Sequence, residues 1–277
     1  MGRMIARQVL MAGVVLGGLA GPSGAETRRD LESCANASLS TSETIRFCQN
    51  ALRNPKLSPD QRAGVLVNLG VALAALGRHS DAVTNYRLAQ QTAPRLVQAY
   101  TNSARSQEAL GQSEAALASY GQAIEVDSRS GEAFAGRGAL LLRLGRAGEA
   151  AADLTKALQL DGRDTNARYN RGLAFLAAGD AEAAERDFSS LLTQAPEVAG
   201  AYLNRGRARA TLGKAAEADF DRALALSPEW GWGFFMRGRF HDRAGRTEAA
   251  NADFLRAREL GFTDPWLLER VRRLSGG

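Results

Sequence analysis

One small residue recurs along this chain at an almost constant interval. Four successive intervals are 34 residues and the last is 32. The series is Gly70, Ala104, Gly138, Gly172, Gly206 and Gly238. A fixed interval of this length is typical of a solenoid, in which each repeat buries its apolar face against its neighbours. We therefore expect one array of repeats rather than a globular domain with a single central core.

Three further series of residues recur at the same intervals, and each is restricted in residue type. They are Ala82, Ala116, Ala150, Ala184, Ala216 and Ala250; Tyr86, Tyr120, Leu154, Phe188, Phe220 and Phe254; and Ala89, Ala123, Ala157, Leu191, Ala223 and Ala257. Apolar residues also fall at i, i+3, i+4 and i+7, the spacing of a buried helix face. Each repeat is thus predicted to be a hairpin of two helices.

Turn and cap residues mark where these helices should end and begin. Glycines stand where a left-handed residue would close each first helix, and short polar residues stand where the second helices start. The glycines are Gly77, Gly111, Gly145, Gly179, Gly213 and Gly245, and the predicted caps are Ser80, Ser113, Asp180 and Thr247. Repeat five lacks two residues, and we expect the loss in the turn after Gly213, because the spacing from Phe220 to Ala223 is intact.

The combined pattern resembles the tetratricopeptide-repeat family, whose repeats carry a Leu-Gly pair, an aromatic residue, Ala, an aromatic residue, Ala and a closing Pro. Pro94, Pro196 and Pro228 fill the closing position, whereas Leu66 and Arg168 replace the early aromatic residue. The resemblance implies an all-α, right-handed superhelical solenoid of helix-turn-helix repeats. Six repeats are assigned, at 63–96, 97–130, 131–164, 165–198, 199–230 and 231–264.

Residues 1–25 have the composition of a secretory signal peptide. Arg3 and Arg7 precede an apolar run, and Ser23-Gly24-Ala25 offers a small-residue cleavage site. The run is shorter than the ~20 residues of a membrane-spanning helix, so no stable span is expected after cleavage. We expect secretion across the inner membrane into the periplasm. A mitochondrial presequence is the alternative, because no acidic residue precedes Glu26.

The segment 26–62 contains both cysteines of the chain, Cys34 and Cys48. In a secreted protein, two cysteines predict one disulfide. Ile45–Leu52 looks like the second helix of a degenerate repeat, and a helix from Thr27 to Ala35 would be its partner. The segment is therefore interpreted as a stapled N-terminal helical segment.

The end of the chain, 265–277, is predicted to form a capping helix. Asp264 precedes Pro265, an N-cap followed by proline at the first helical position. Trp266, Leu267 and Val271 should lie on repeat six. The three arginines of this helix are expected to face water; they are Arg270, Arg272 and Arg273.

Residues that could carry catalysis are nearly absent. The two histidines, His79 and His241, belong to no metal-ligand spacing, and no nucleophile or phosphate-loop motif is present. We expect no enzymatic activity, no catalytic residue, no cofactor and no metal. The net charge of +5 is spread along the repeats rather than clustered, which argues against nucleic acid as a partner.

Repeats three to six carry an arginine just before the small-residue register and an aspartate just before the aromatic register. The expected pairs are Arg137 with Asp153, Arg171 with Asp187, Arg205 with Asp219, and Arg237 with Asp253. Repeats one and two lack both charges. We interpret the four pairs as structural ion pairs between the two helices of a repeat. A ladder of arginines for an anionic ligand is the alternative.

In the family that the chain resembles, first helices line a concave groove where peptides lie. Carried onto this sequence, the groove residues are Asn102, Arg105, Tyr169, Asn170, Leu173, Asn204, Arg207, Trp232, Phe235 and Arg239. Their asparagines could bond either a peptide backbone or neighbouring helices. The two-lysine carboxylate clamp of chaperone-binding relatives is absent, because the three lysines lie outside this set.

The stretch Trp230–Met236 is dense in aromatic residues for a chain that is 6% aromatic. Helical spacing sends Phe234 toward the core and Phe235 toward the groove. Phe235, Arg239 and Arg207 are the predicted centre of the site, since aromatic residues and arginine most often anchor interfaces. The alternative is that the tryptophans merely fill the junction left by the short fifth repeat.

These features favour a non-catalytic scaffold or adaptor that binds a protein or peptide in the cell envelope. Two alternatives stay open. The chain could be a structural or assembly subunit that self-associates through its end faces, or a regulatory accessory of an envelope enzyme.

Overall fold

The structure, a computed structural model, describes residues 22–274. Residues 1–21, which hold most of the predicted signal peptide, and residues 275–277 lie outside the described part. Within 22–274 the chain forms fifteen α-helices and no strand. They are α1 (Pro22–Cys34), α2 (Thr41–Leu52), α3 (Pro59–Ala75), α4 (His79–Thr92), α5 (Val97–Ala109), α6 (Ser113–Val126), α7 (Gly131–Arg143), α8 (Ala147–Leu160), α9 (Thr165–Ala178), α10 (Ala181–Gln194), α11 (Ala199–Thr211), α12 (Glu217–Leu226), α13 (Gly231–Arg243), α14 (Thr247–Glu259) and α15 (Pro265–Leu274).

The chain divides into two compact units. The first comprises the described residues through Leu140 together with Gln159–Asp161, and the second comprises Leu141–Leu158 and the chain from Gly162 onward. Within each unit, successive helices pack on each other in the manner of a helical repeat solenoid. The predicted all-α repeat fold is therefore confirmed, while its handedness stays a prediction.

The small-residue register allows an aromatic ring of the second helix to lie against the first helix. A methyl group added at Gly172 would stand 2.7 Å from the Phe188 ring, and one at Gly238 would stand 2.6 Å from the Phe254 ring. Both rings are fully buried. The alanine register is buried as predicted, at Ala82, Ala116, Ala150, Ala184, Ala216 and Ala250. Close helix approach in each hairpin thus explains why the two series admit only small residues.

All six predicted turn glycines have positive φ, which confirms their assignment. Gly179 is the clearest case: it is the left-handed C-cap of α9, and its N–H donates to the last turn of that helix. The next residue, Asp180, caps α10 by accepting a hydrogen bond from the Ala183 N–H, as predicted.

The other three predicted caps are wrong. Ser80 is the second residue of α4, whereas Ser113 and Thr247 are the first residues of α6 and α14. The preceding N-cap positions of these three helices make no side-chain cap bond. The N-cap of each helix is the single residue that follows the turn glycine, so Ser113 and Thr247 come one residue too late to cap and Ser80 comes two too late.

The short fifth repeat lost residues from a helix rather than from a turn, contrary to expectation. Helices α4, α6, α8 and α10 have 14 residues and begin two residues after their glycine. In contrast, α12 has 10 residues and begins at Glu217, four after Gly213. Phe220 and Ala223 stay buried, so packing holds the rest of α12 in register while its first turn is missing.

The N-terminal segment contains the predicted disulfide, which is thereby confirmed. Cys34 of α1 is bonded to Cys48 of α2, and both cysteines are fully buried with Leu31 in the core of the first unit. Helix α1 begins at Pro22, five residues before the predicted start at Thr27. The staple therefore joins two packed helices rather than a helix and a loop.

The C-terminal helix α15 packs on the last hairpin as predicted. Leu267 and Val271 are fully buried, and the Asp264 carboxylate accepts a hydrogen bond from the Leu267 N–H. Arg270 was expected to face water with Arg272 and Arg273, and this is wrong. Its guanidinium is half-buried and bonds the Asp242 carboxylate at 3.2 Å, because helical spacing sets it on the inward flank beside Val271.

Candidate functional site

Three of the four expected arginine–aspartate pairs are found together in the second unit. Each guanidinium donates two hydrogen bonds to one buried carboxylate. The distances are 2.7 and 2.6 Å for Arg171–Asp187, 3.0 and 2.6 Å for Arg205–Asp219, and 2.9 and 2.7 Å for Arg237–Asp253. The fourth pair, Arg137–Asp153, stays a prediction. Each arginine of the three pairs is thus bonded to an acid of its own hairpin, which is the geometry that the ion-pair interpretation expects.

The asparagines of the predicted groove do not form a peptide-binding row. Asn102 and Asn204 are buried, with 1% and 2% of their surface exposed, and only Asn170 is half-buried. The Asn204 side chain donates to the Tyr169 hydroxyl at 3.1 Å and to the Gly200 carbonyl at 2.8 Å. Placing Asn102 and Asn204 on the open groove was therefore wrong, and the alternative of bonding neighbouring helices fits Asn204.

Three other predicted groove residues also contact side chains within the protein. In the first unit, the Arg105 guanidinium lies 2.6 Å from the Glu132 carboxylate of α7, and burial raises the pKa of that carboxyl. In the second unit, Tyr169 meets the Phe188 ring edge-on at 5.7 Å and Leu173 packs beside it in the same cluster. These side chains support helix packing as much as they present a surface.

A cleft of about 410 Å³ opens between α11 and α13, the first helices of the last two repeats. It is lined by Arg207, Ala210, Thr211, Phe220, Phe235, Met236, Arg239, Phe240, Arg243 and Ala244. We call this space the α11–α13 cleft. It brings together Arg207, Phe235 and Arg239, the three residues predicted as the centre of the site.

Arg207 is held in the cleft wall by neutral partners. Its guanidinium donates to the Asn204 side-chain oxygen at 2.8 Å and lies 5.7 Å from the centre of the Trp232 ring. Burial lowers the pKa of Arg207 below its usual value. Asn204, the residue expected to face a peptide, therefore lies buried behind Arg207 and holds its guanidinium by a hydrogen bond.

Arg239 is held in a similar way from the C-terminal side. Its guanidinium lies 4.8 Å from the centre of the Trp266 ring and 5.8 Å from that of Phe235. Neither Arg239 nor Arg207 forms an ion pair with a carboxylate in the described part of the chain. Both cations consequently border the cleft with neutral partners.

The two adjacent phenylalanines of α13 exchange the roles predicted for them. Phe235 is 8% exposed and packs against Phe254, Phe262 and Trp266, so it forms part of the cleft floor. Phe234, expected in the core, is half-buried with Arg237 over its ring at 5.6 Å. The capping helix α15 explains the exchange, because it covers the face of α13 that carries Phe235.

The tryptophans serve both of the roles that the sequence left open. The Trp230 and Trp232 rings lie 5.4 Å apart, tilted by 48°, and pack with Leu203 and Phe220, which fills the junction after the short helix α12. Trp232 also carries Arg207 on its ring. Trp232 therefore belongs both to the junction between repeats five and six and to the wall of the cleft.

Several cleft residues were missed by sequence reasoning. Phe240 and Arg243 follow Met236, which was expected at the groove, at helical spacing along α13, and Ala210 and Thr211 end α11. The recurrence of apolar and basic residues at i, i+4 and i+7 on α13 was the available signal. Their positions required knowing that α12 is short and that α15 packs beside α13.

The cleft offers apolar contact and positive charge rather than reactive groups. No acidic residue, histidine, cysteine or serine lines it. His241 is buried on another face, with its Nε2 3.8 Å from the Asp253 carboxylate. Over residues 22–274, no group of three or more potential ligands could hold a metal ion, and no helix combines the length and apolar character needed to cross a membrane.

Comparison with known proteins places the fold. Residues 101–165 and 169–231 match the family model described as Tetratricopeptide repeat. No curated protein matched the chain in a sequence comparison. The resemblance recognised in the sequence is therefore confirmed for these two stretches.

Solved structures with this fold cover most of the chain. A tetratricopeptide repeat protein from Parabacteroides merdae has a TM-score of 0.62 and 22% identity, covering 90% of this chain and 98% of that one. PilW, described as a widely conserved type IV pilus biogenesis factor, has a TM-score of 0.65 and 19% identity over 76% and 99%. YrrB, described as having an unusual peptide-binding site, has a TM-score of 0.58 and 22% identity over 65% and 92%. At these identities the likeness concerns the fold alone.

Proposed function

We propose that this chain is a non-catalytic scaffold that binds a protein or peptide segment in the cell envelope, with the α11–α13 cleft as its working site. The observation that carries the proposal is the composition of the cleft. It joins an apolar floor to Arg207 and Arg239, two cations that have no carboxylate partner among the described residues. Interfaces are anchored by such aromatic and arginine clusters.

Three other features support the envelope and binding roles. The buried disulfide is typical of proteins that fold in an oxidising compartment, and the first 25 residues have signal-peptide composition. Two proteins of similar fold are described as a pilus biogenesis factor and as a peptide-binding protein. The residues that line the cleft include no acid, histidine, cysteine or serine, and they offer a binding surface of apolar and basic side chains.

The test is site-specific photo-crosslinking in cells. A photoreactive residue at Thr211, which is exposed at the edge of the cleft, should crosslink to one distinct protein. The same residue at Arg222, exposed on α12, is the matched control and should not. Equal crosslinking from both positions would contradict the proposal. A third photoreactive residue at Leu268, which is exposed on α15, tests the end face, and crosslinks from it to a second copy of the chain alone would support self-association instead.

A further inference from the structure

Arg207 and Arg239 occupy the same position in successive repeats. Each follows the small-residue register by one residue, after Gly206 on α11 and after Gly238 on α13. Equivalent positions on neighbouring first helices face the same side, and both side chains line the α11–α13 cleft. The cleft is therefore bordered by a matched pair of guanidinium groups.

Repeat two shows what an arginine at this position does inside the protein. Arg105 follows Ala104 by one residue and pairs at 2.6 Å with Glu132 on the next first helix. Glu132 precedes its own register residue, Gly138, by six. The position six before the register therefore supplies a carboxylate to the arginine of the preceding repeat.

Beside the arginines of the last two repeats, tryptophan stands in place of this carboxylate. Trp232 precedes Gly238 by six residues and lies under Arg207, and Trp266, which follows Trp232 by 34 residues, lies under Arg239. An indole ring attracts a guanidinium through its face but accepts none of its hydrogen bonds in plane. The planar fork of each arginine thus keeps donors for a carboxylate from outside the chain.

The space beside the two arginines suits an apolar side chain. Phe235, Met236 and Phe240 line it, and its volume of about 410 Å³ lies within the usual range for ligand pockets. A flexible methionine adapts to apolar groups of different shape. None of the ten lining residues is acidic, so the charge of the cleft is complementary to an anionic ligand.

We infer that the α11–α13 cleft recognises an acidic–apolar segment of a partner protein. An Asp or Glu side chain of that segment binds between Arg207 and Arg239, in the place that Glu132 takes beside Arg105. A neighbouring aromatic or aliphatic side chain of the segment lies on Phe235, Met236 and Phe240. This inference rests on the proposed function and names the chemistry of its ligand.

The first experiment measures the binding of short fluorescent peptides, blocked at both termini, to the full chain. One set carries Asp or Glu beside Phe or Leu, and the matched set carries Asn or Gln in place of the acid. The acidic set should bind about tenfold more tightly, a difference of about 1.4 kcal/mol. Arg207→Gln and Arg239→Gln should each lose this preference, whereas Arg222→Gln on the exposed face of α12 should keep it.

Several results would overturn the inference. These are equal binding of both peptide sets, a preference that survives in Arg207→Gln and Arg239→Gln, or binding that requires a free terminal carboxylate. Competition by inorganic phosphate or by a single-stranded oligonucleotide as strong as that by the acidic peptide would also overturn it. If Thr211 crosslinks to a protein while acidic peptides show no preference, the inference fails and the proposed function stands.

A second experiment transfers the internal carboxylate of repeat two to the cleft. Trp232→Glu places an acid where Glu132 stands relative to Arg105, and Trp232→Gln is the matched neutral change. Both variants lose the same indole ring, so comparable thermal midpoints are expected. Trp232→Glu should bind the acidic peptides at least tenfold more weakly than Trp232→Gln, because the new carboxylate occupies Arg207. Equal binding by the two variants would contradict the arrangement.

Discussion

Three buried aspartates of the second unit each accept two hydrogen bonds from a single arginine of the same hairpin. Asp187 is typical: its carboxylate is nearly inaccessible to water, while the Arg171 guanidinium keeps 19% of its side-chain surface exposed. A carboxylate buried without a partner costs far more than a broken surface pair. The pair therefore contributes to stability chiefly by offsetting the desolvation cost of the buried aspartate.

Replacing Arg171 with Met should lower the free energy of unfolding by about 3 kcal/mol, because Asp187 would stay buried and unpaired. Urea denaturation measures the loss. Arg186→Met, an exposed arginine of α10, is the control and should cost less than about 0.5 kcal/mol. The double change Arg171→Met with Asp187→Leu should recover part of the stability. Similar losses for Arg171→Met and Arg186→Met would contradict the structural role of the pair.

His241 gives the second unit a defined response to acid. Burial, followed by the nearby Arg246 and Arg237 charges, lowers the pKa of this imidazole, while Asp253 and Glu217 oppose the shift. The unfolded chain, with a histidine pKa near 6.5, takes up the proton first as the pH falls. Its contribution to stability is therefore present above about pH 6.5 and is lost below it.

Replacing His241 with Leu, the residue that repeats one and three carry here as Leu73 and Leu141, should remove this contribution. The thermal midpoint of the variant should fall less between pH 7 and pH 5 than that of the parent protein. Thermal unfolding followed by circular dichroism at several pH values measures the difference. An unchanged pH dependence in the variant would show that His241 does not titrate in this range.

At the scale of the helix pair, glycine has opposite effects at two positions of the second unit. Gly172 lies under the buried Phe188 ring, whereas Gly148, near the start of α8, has open space around it. A glycine within a helix normally costs stability relative to alanine. The ring contact reverses that preference at Gly172, because a methyl group would stand 2.7 Å from Phe188.

The two alanine variants should therefore change the stability of the protein in opposite directions. Gly148→Ala should stabilise the protein by about 0.5 kcal/mol through the unfolded chain and helix propensity. Gly172→Ala should destabilise it by about 1–3 kcal/mol through overpacking. Thermal midpoints of the two variants, compared with the parent, decide the point. Two shifts of the thermal midpoint in the same direction would show that the Phe188 ring does not exclude a methyl group at position 172.

Periodicity predicted the helix pairs, while their ends and their exact faces depended on neighbours. Gly179 and Asp180 could be assigned from sequence because a left-handed turn and a side-chain cap are local events. Ser113 and Thr247 are capable caps in isolation, yet the residue directly after each turn glycine, Gln112 or Arg246, takes the N-cap position. Phe235 faces inward because α15, a later element, covers that face of α13.

At the scale of the whole molecule, the disulfide is placed to stabilise the N-terminal end of the array. Cys34 and Cys48 are 14 residues apart, and both lie in the core of the first unit. A terminal repeat has a neighbour on one side only, so its stability depends more on internal links than that of a central repeat. Within residues 22–274 no helix precedes α1, and the disulfide adds a covalent link to its packing on α2.

Replacing both cysteines with alanine should destabilise α1 and α2 by about 3 kcal/mol, the chain-entropy value for a loop of this length. Hydrogen exchange of the two helices should accelerate, while exchange in α13 and α14 should not change, because repeats act on their nearest neighbours. The parent protein kept in reductant is a second route to the same result. Unchanged exchange in α1 and α2 under both conditions would contradict this role.

The site was predictable in part for the same reason that the fold was. Arg207 and Arg239 could be chosen from sequence because the repeat fixes which positions share a face. Asn204 could not be assigned correctly, because its partner Tyr169 lies 35 residues earlier on another first helix. The apolar floor depended on helix α12 being short and on Trp266 packing back against α13, neither of which is a local property.

The positions of the tryptophans determine which part of this protein is followed by intrinsic fluorescence. Trp230 and Trp232 lie at the junction of the last two repeats and Trp266 lies in the capping helix α15. Trp232 and Trp266 lie beneath the arginines of the α11–α13 cleft. Intrinsic indole emission therefore originates entirely at this end of the chain. A fluorescence melt follows the cleft and its surroundings, whereas circular dichroism averages over every helix. Titration of an unlabelled ligand can thus be read from the native emission, with no dye attached near the site.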